Sequence, residues 1–120
     1  MKVLIVESDP ELAKLWSGHL ARQGAEVCHT TDEAGAIEIL GNSQPDIIVL
    51  NLVLRNGSAF AVADYASYRH PAARVIFVTK SSFFSDGSIF QHIPNACAFL
   101  PAATTPEDLA AVIDHYGMAR

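Results

Sequence analysis

The stretch Pro45-Asp-Ile-Ile-Val-Leu-Asn51 contains the feature that decides the fold, a short apolar run from Ile47 to Leu50 that ends on a polar residue. Two similar runs, Val3 to Val6 and Val75 to Val78, are separated from it by polar segments with helical patterning. A strand that is apolar at every position is typical of a parallel sheet covered on both faces. The sequence therefore predicts three buried parallel strands.

Two weaker strands complete the predicted sheet. Glu26 to His29 alternates polar and apolar residues, as an edge strand does, and Ala98 to Leu100 is short and apolar. Five strands alternating with five helices predict an α/β fold, namely a flavodoxin-like three-layer αβα sandwich. Its parallel sheet is expected to have the order 2-1-3-4-5, and residues 1–120 are assigned to a single domain.

Capping residues, prolines and glycines mark the predicted helices. The start signals are Asp9-Pro10-Glu11, Thr31-Asp32-Glu33, Gly57 and Thr105-Pro106-Glu107. A further helix, the fourth in chain order, is predicted over residues 86–92 because Pro94 would close it.

Composition excludes several classes of function. Half of the residues are hydrophobic and 18% are charged, which is enough apolar material for one core. A net charge of -5 with scattered basic residues argues against a nucleic-acid surface. No signal-peptide pattern is present and the apolar runs are too short to cross a bilayer, so a cytoplasmic protein without a membrane partner is expected.

The residues that commonly hold metals or carry redox chemistry show no functional spacing. Cys28 and Cys97 are far apart, which favours reduced structural thiols. The five histidines have no metal-ligand spacing, and each is interpreted as a surface or helix-end residue.

The predicted topology brings several polar positions together. In open α/β sheets, functional groups gather where the carboxyl ends of the strands meet the loops, near the switch point between the first and third strands. This rule places five residues around one pocket: Glu7, Ser8, Asn51, Thr79 and Ala102.

Over essentially its whole length, the sequence resembles the receiver domain of bacterial response regulators. The resemblance rests on the order and spacing of four landmarks: Val3-Leu-Ile-Val-Glu-Ser-Asp-Pro-Glu11, Pro45-Asp-Ile-Ile-Val-Leu-Asn-Leu-Val-Leu54, Val75-Ile-Phe-Val-Thr79, and Ala98-Phe-Leu100 leading into Thr105-Pro-Glu-Asp-Leu109. In that family, an acidic pair and an aspartate hold Mg²⁺, the aspartate accepts a phosphoryl group, and a lysine contacts that group.

The resemblance implies that this phosphotransfer site is degenerate. Glu7 falls on the first acid, but Ser8 falls on the second, Asn51 on the phosphoacceptor and Ala102 on the lysine. An uncharged amide is a poor nucleophile, so no acyl phosphate and no catalytic residue are expected, and Mg²⁺ binding should be lost or weak. Acids and lysine are lost together, which keeps the pocket nearly neutral and favours a settled design.

Two family positions are retained, and each has an ordinary alternative. Thr79 matches the hydroxyl that would bond to phosphate, although threonine is common at strand ends. Phe99 matches an aromatic switch position, although a phenylalanine beside Leu100 could simply belong to the core.

Three residues after the fourth predicted strand are further candidates. Lys80 could pair with Glu7 as an internal cation, or it could be a solvated loop lysine. The adjacent Phe83 and Phe84 could form an exposed docking surface or could pack into the core.

These observations favour a pseudo-receiver that acts in signal transduction by phosphorylation-independent protein binding. The partner would be a histidine kinase, another signalling protein or a second copy, bound through the predicted fourth helix, the fifth strand and the last helix. The alternatives are a conventional phosphorelay regulator with substitute chemistry, or a small-ligand or flavin carrier on the same scaffold. The loop after Val6 lacks the glycine-rich pattern that cradles a phosphate, which disfavours the carrier.

Overall fold

A computed structural model describes residues 1–79 and 94–117. Five strands form one parallel sheet in the order β2-β1-β3-β4-β5, which confirms the predicted topology. The strands are β1 (Lys2–Val6), β2 (Glu26–Thr30), β3 (Ile47–Asn51), β4 (Arg74–Thr79) and β5 (Ala96–Pro101).

Four helices lie within the two described ranges: α1 (Pro10–Arg22), α2 (Glu33–Asn42), α3 (Ala59–Arg69) and α4 (Pro106–Gly117). The predicted caps Asp9 and Thr105 accept hydrogen bonds from the first turns of α1 and α4. Asp32 caps α2, where its carboxylate accepts from Gly35 N. Five helices were predicted; the one expected over residues 86–92 lies outside the described residues.

The core consists of two apolar layers, one on each face of the sheet. Alternate residues of β1, β3 and β4 pack against α1 and α4 around Trp16, and the remaining ones pack against α2 and α3 around Leu40. Every residue of β3 is buried, because this strand lies at the centre of the sheet under both layers. The polar residue at its end, Asn51, is therefore held in a fixed position.

The loop between β3 and α3 contains a glycine that the fold requires. Gly57 has φ +95°, and a Cβ added there would collide with the Glu33 side chain. Glu33 lies against this loop, where its backbone N–H donates to Asn56 O at 3.2 Å. The β2–α2 and β3–α3 loops thus meet at a point that has no room for another side chain.

Replacing this glycine should destabilise the domain. We expect Gly57→Ala to lower the free energy of unfolding by about 1–3 kcal/mol, through backbone strain and the Glu33 contact. The matched control is Gly41→Ala, since Gly41 is helical and its added Cβ would make only ordinary contact with Tyr65. That variant should be neutral or stabilised by up to about 1 kcal/mol. Urea unfolding checks both, and equal stability of the two variants would contradict the role assigned to Gly57.

The two cysteines are free thiols in different environments. Cys28 is exposed on the edge strand β2, whereas Cys97 is partly buried on β5. Burial raises the pKa of the Cys97 thiol from 9.0 to about 11, although the Arg74 charge opposes part of this shift. The Cys97 thiol therefore remains protonated at neutral pH.

Alkylation should separate the two thiols. At pH 8 the raised pKa leaves Cys97 about a hundredfold less thiolate than an ordinary cysteine, so iodoacetamide should modify Cys28 first. Modification of Cys97 should accelerate as the pH rises toward about 11. Burial in the folded state favours the neutral Cys97 thiol. The stability that this thiol contributes is therefore present below pH 9.0 and is lost as the pH rises through about 11. Peptide mass mapping in buffer and in urea checks this; equal modification of both thiols in folded protein at pH 8 would contradict it.

Candidate functional site

The carboxyl ends of β1, β3 and β4 surround an open cavity of about 360 Å³. Four of the five residues predicted from the sequence lie in its wall: Glu7, Ser8, Asn51 and Thr79. All four are buried, with 2–7% of their surface exposed. The other described residues of the wall are Asp9, Val53, Leu54 and Arg55.

The centre of the site is a hydrogen bond between Asn51 and Glu7. Asn51 Nδ2 donates to Glu7 Oε1 at 2.7 Å, and Asn51 Oδ1 accepts from Val53 N at 2.9 Å. These partners fix the amide orientation, since a carboxylate only accepts and a backbone N–H only donates. Asn51 therefore connects the ends of β1 and β3 and uses both of its polar atoms to do so.

The buried carboxylate of Glu7 receives a second hydrogen bond from its own loop. Asp9 N donates to Glu7 Oε2 at 2.9 Å, so each carboxylate oxygen has an N–H donor from the chain. Hydrogen bonds to an ionised group are stronger than neutral ones and offset the cost of burying the charge. The Glu7 carboxylate is thus stabilised by dipoles of the protein.

Ser8 uses its hydroxyl as both donor and acceptor. Its Oγ donates to Thr31 O at 2.7 Å and accepts from Arg55 N at 3.0 Å. Ser8 thereby joins the loop after β1 to the loops after β2 and β3. An ionised aspartate at this position could accept from Arg55 N, but it could not donate to Thr31 O.

The remaining predicted residues are distributed differently. Thr79 ends β4 in the cavity wall, and its carbonyl accepts from Ala102 N at 2.9 Å. The Ala102 side chain packs with the α1/α4 layer and is not among the described residues of that wall. Phe99 is partly buried against the α2/α3 layer. Lys80, Phe83 and Phe84 lie outside the described residues.

Two residues of the cavity wall were not predicted to belong to the site. Asp9 was expected to cap α1, which it does, accepting from Glu11 N at 3.0 Å and Leu12 N at 3.4 Å. Arg55, in the loop after β3, was not predicted to be a site residue, yet it also lines the cavity. Both lie in the loops that follow β1 and β3, and this position in the sequence was the signal that could have identified them.

Metal-ligating side chains are sparse around the cavity. Within residues 1–79 and 94–117, no three His, Cys, Asp or Glu residues are placed so that they could hold a metal ion together. None of the described helices is long and apolar enough to span a membrane.

A sequence model of the response regulator receiver domain matches residues 3–112. The chain belongs to this family. Membership confirms the resemblance seen in the sequence and assigns the domain to signal transduction. Among curated protein sequences, none matches.

Solved structures show the same fold at low sequence identity. A CheY-like receiver domain protein from Methanospirillum hungatei is 18% identical, with TM-score 0.90 over 98% of this chain and 94% of that one. The N-terminal domain of a response regulator/sensory box/GGDEF protein from Carboxydothermus hydrogenoformans is 21% identical, with TM-score 0.87 over 99% and 95%. A response regulator from Burkholderia pseudomallei is 18% identical, with TM-score 0.84 over 98% and 69%.

Replacing the Asn51 amide by a carboxylate should make the stability of the domain depend on a bound cation. Asn51→Asp places two carboxylates at the distance of the present hydrogen bond, so we expect the free energy of unfolding to fall by about 1–3 kcal/mol in EDTA. Millimolar Mg²⁺ should recover part of this loss, because adjacent carboxylates favour a hard cation.

Urea unfolding with and without Mg²⁺ checks this expectation. The control variant Asn51→Ala removes the hydrogen bond without adding a charge, and its stability should not respond to Mg²⁺. An Asn51→Asp variant that is as stable as the wild type in EDTA would contradict the account of the pocket.

Proposed function

We propose that this receiver domain is a pseudo-receiver, which accepts no phosphoryl group and acts in signalling by binding a protein partner. The observation that carries the proposal is the hydrogen bond from Asn51 Nδ2 to Glu7 Oε1. Asn51 is at the position of the family's phosphoacceptor, and this hydrogen bond joins it to Glu7, the one member of the acidic pair that remains.

The first supporting argument concerns the nucleophile. Phosphorylation of a receiver needs an anionic carboxylate oxygen, which an amide does not supply. In addition, Asn51 Oδ1 accepts from Val53 N and Asn51 Nδ2 donates to Glu7. Neither polar atom of Asn51 is presented as an attacking group.

The second argument concerns the metal. Mg²⁺ requires near-octahedral oxygen ligands and usually one or two carboxylates. Here Glu7 is the family's only remaining acid, both of its oxygens already accept hydrogen bonds, and the Ser8 hydroxyl is engaged on both sides. These residues do not fit a magnesium site, so we propose that binding of Mg²⁺ is lost or weak and that the domain works without a cofactor.

The third argument concerns charge balance in the pocket. A lysine at position 102 would bring a cation to a pocket that keeps one of the family's three acids, and a buried charge that is incompletely balanced costs free energy. Ala102 carries no charge, and the single buried carboxylate of Glu7 is held by N–H donors. The losses compensate one another, as expected for a domain that has abandoned phosphotransfer.

The Burkholderia response regulator contains a phosphorylated aspartic acid and a calcium ion. Its chain shares the fold of this one but only 18% of the aligned residues. We propose that the present chain has kept the receiver scaffold and lost that chemistry. It would therefore not act as an enzyme, and its output would be an interaction.

The proposed partner is a protein, either a histidine kinase, another signalling protein or a second copy of this chain. β5 forms one edge of the sheet and α4 follows it directly in the chain, which supports the proposal that these two elements and the predicted fourth helix form the binding surface. We propose that this interaction takes place in the cytoplasm.

The decisive experiment is incubation with acetyl phosphate and Mg²⁺, followed by intact-mass measurement. The wild type should show no added phosphoryl group, whereas a conventional receiver domain treated in parallel should gain one and so establish that the donor is active. A wild-type protein that gains one phosphoryl group would overturn the proposal.

A matched variant sharpens this test. Ser8→Asp, Asn51→Asp and Ala102→Lys together restore the acid pair's second member, the phosphoacceptor and the lysine of the family pattern. We expect this triple variant to gain a phosphoryl group in the presence of Mg²⁺ and not in EDTA. Equal absence of labelling in wild type and triple variant would show that the three substitutions do not account for the loss.

A further inference from the structure

The loop between β3 and α3, residues 52–58, is held by hydrogen bonds that its backbone N–H groups donate to the end of β3 and to three more distant parts of the chain. Leu52 N donates to Val78 O at 2.8 Å, and Val53 N donates to Asn51 Oδ1 at 2.9 Å. Further along the loop, Arg55 N donates to Ser8 Oγ at 3.0 Å and Ser58 N donates to Glu33 Oε1 at 2.8 Å. The polar backbone of this loop is thus anchored at both ends and in the middle.

Two of the anchors are side chains that lie far from the loop in sequence. Ser8 follows β1, and Glu33 is the first residue of α2. Ser8 also donates to Thr31 O, and Glu33 N donates to Asn56 O at 3.2 Å. Ser8 therefore links the β2–α2 loop to the β3–α3 loop. Glu33 links the start of α2 to the same β3–α3 loop.

Neither side chain could be exchanged for an arbitrary one. Ser8 is 7% exposed, and its single hydroxyl oxygen donates to Thr31 O while it accepts from Arg55 N, which an aliphatic or ionised acidic side chain cannot do. Glu33 lies against Gly57 so closely that any added Cβ there would collide with it. The hydrogen bonds of Ser8 and Glu33, together with the close contact at Gly57, favour one conformation of the β3–α3 loop.

We propose that Ser8 and Glu33 are positioning residues that hold the β3–α3 loop in a single conformation in the unmodified protein. This inference rests on the proposed function, because a receiver that accepts no phosphoryl group has no chemical signal with which to move the loop. The consequence is a permanently displayed surface at the cavity mouth, where Val53 is 66% exposed.

Amide hydrogen exchange measured by NMR tests the proposal at individual bonds. In the wild type, the amides of Arg55 and Ser58 should be protected. Ser8→Ala should accelerate exchange at Arg55 on the order of tenfold, and Glu33→Ala should do the same at Ser58, since each removes the acceptor. The amide of Ile48 in the centre of β3 should keep its wild-type exchange rate in both variants.

Conservative variants separate positioning from general packing. Ser8→Thr keeps a hydroxyl and Glu33→Gln keeps an acceptor oxygen, so both should retain the protection of Arg55 and Ser58. The proposal is overturned if exchange at Arg55 and Ser58 is unchanged in the alanine variants. It is also overturned if exchange at Ile48 rises by the same factor, because the effect would then be general destabilisation.

This test is independent of phosphorylation. A wild type that gains a phosphoryl group from acetyl phosphate would overturn the proposed function while leaving the exchange results as they stand. Unchanged exchange in the alanine variants would overturn the positioning roles of Ser8 and Glu33 while leaving the mass result as it stands.

Discussion

The constraint on which the site depends is the need to stabilise one buried carboxylate. Glu7 ends up 2% exposed because it directly follows β1, which lies between two neighbouring strands under both helical layers. An ionised group in such a place must be paired or hydrogen-bonded. The chain supplies N–H donors from the Asn51 side chain and the Asp9 backbone. The Glu7 carboxylate therefore joins the loop after β1 to the end of β3.

This arrangement explains why the differences from the family pattern belong together. An aspartate at position 51 would add a second carboxylate beside Glu7 and would need a cation, whereas an asparagine satisfies Glu7 directly. An aspartate at position 8 would lose the hydrogen bond to Thr31 O that the serine makes. The residues at 8 and 51 thus form a hydrogen-bond network with partners from the chain itself, and the apolar Ala102 adds no charge beside it.

Much of the fold could be predicted because its signals are local. The apolar run Ile47 to Leu50 predicts a doubly covered strand, and Asp9 and Thr105 mark the helix starts that the structure shows. The dual hydrogen bonding of Ser8 and the packing of Glu33 against Gly57 were not predictable, because they join residues from different loops. Their geometry is set only when the sheet brings the carboxyl ends of its strands together.

The hydrogen bond from Asn51 to Glu7 is tested most directly by the side-chain amide resonance of Asn51 during a Mg²⁺ titration of the wild-type protein. The Asn51→Asp variant, which lacks this resonance, assigns it in the ¹H–¹⁵N spectrum. If Asn51 donates to Glu7 and takes the place of a cation, its amide protons will exchange slowly with solvent and its chemical shift will not respond to millimolar Mg²⁺. A rapidly exchanging amide, or a shift that saturates with Mg²⁺, would contradict the central claim.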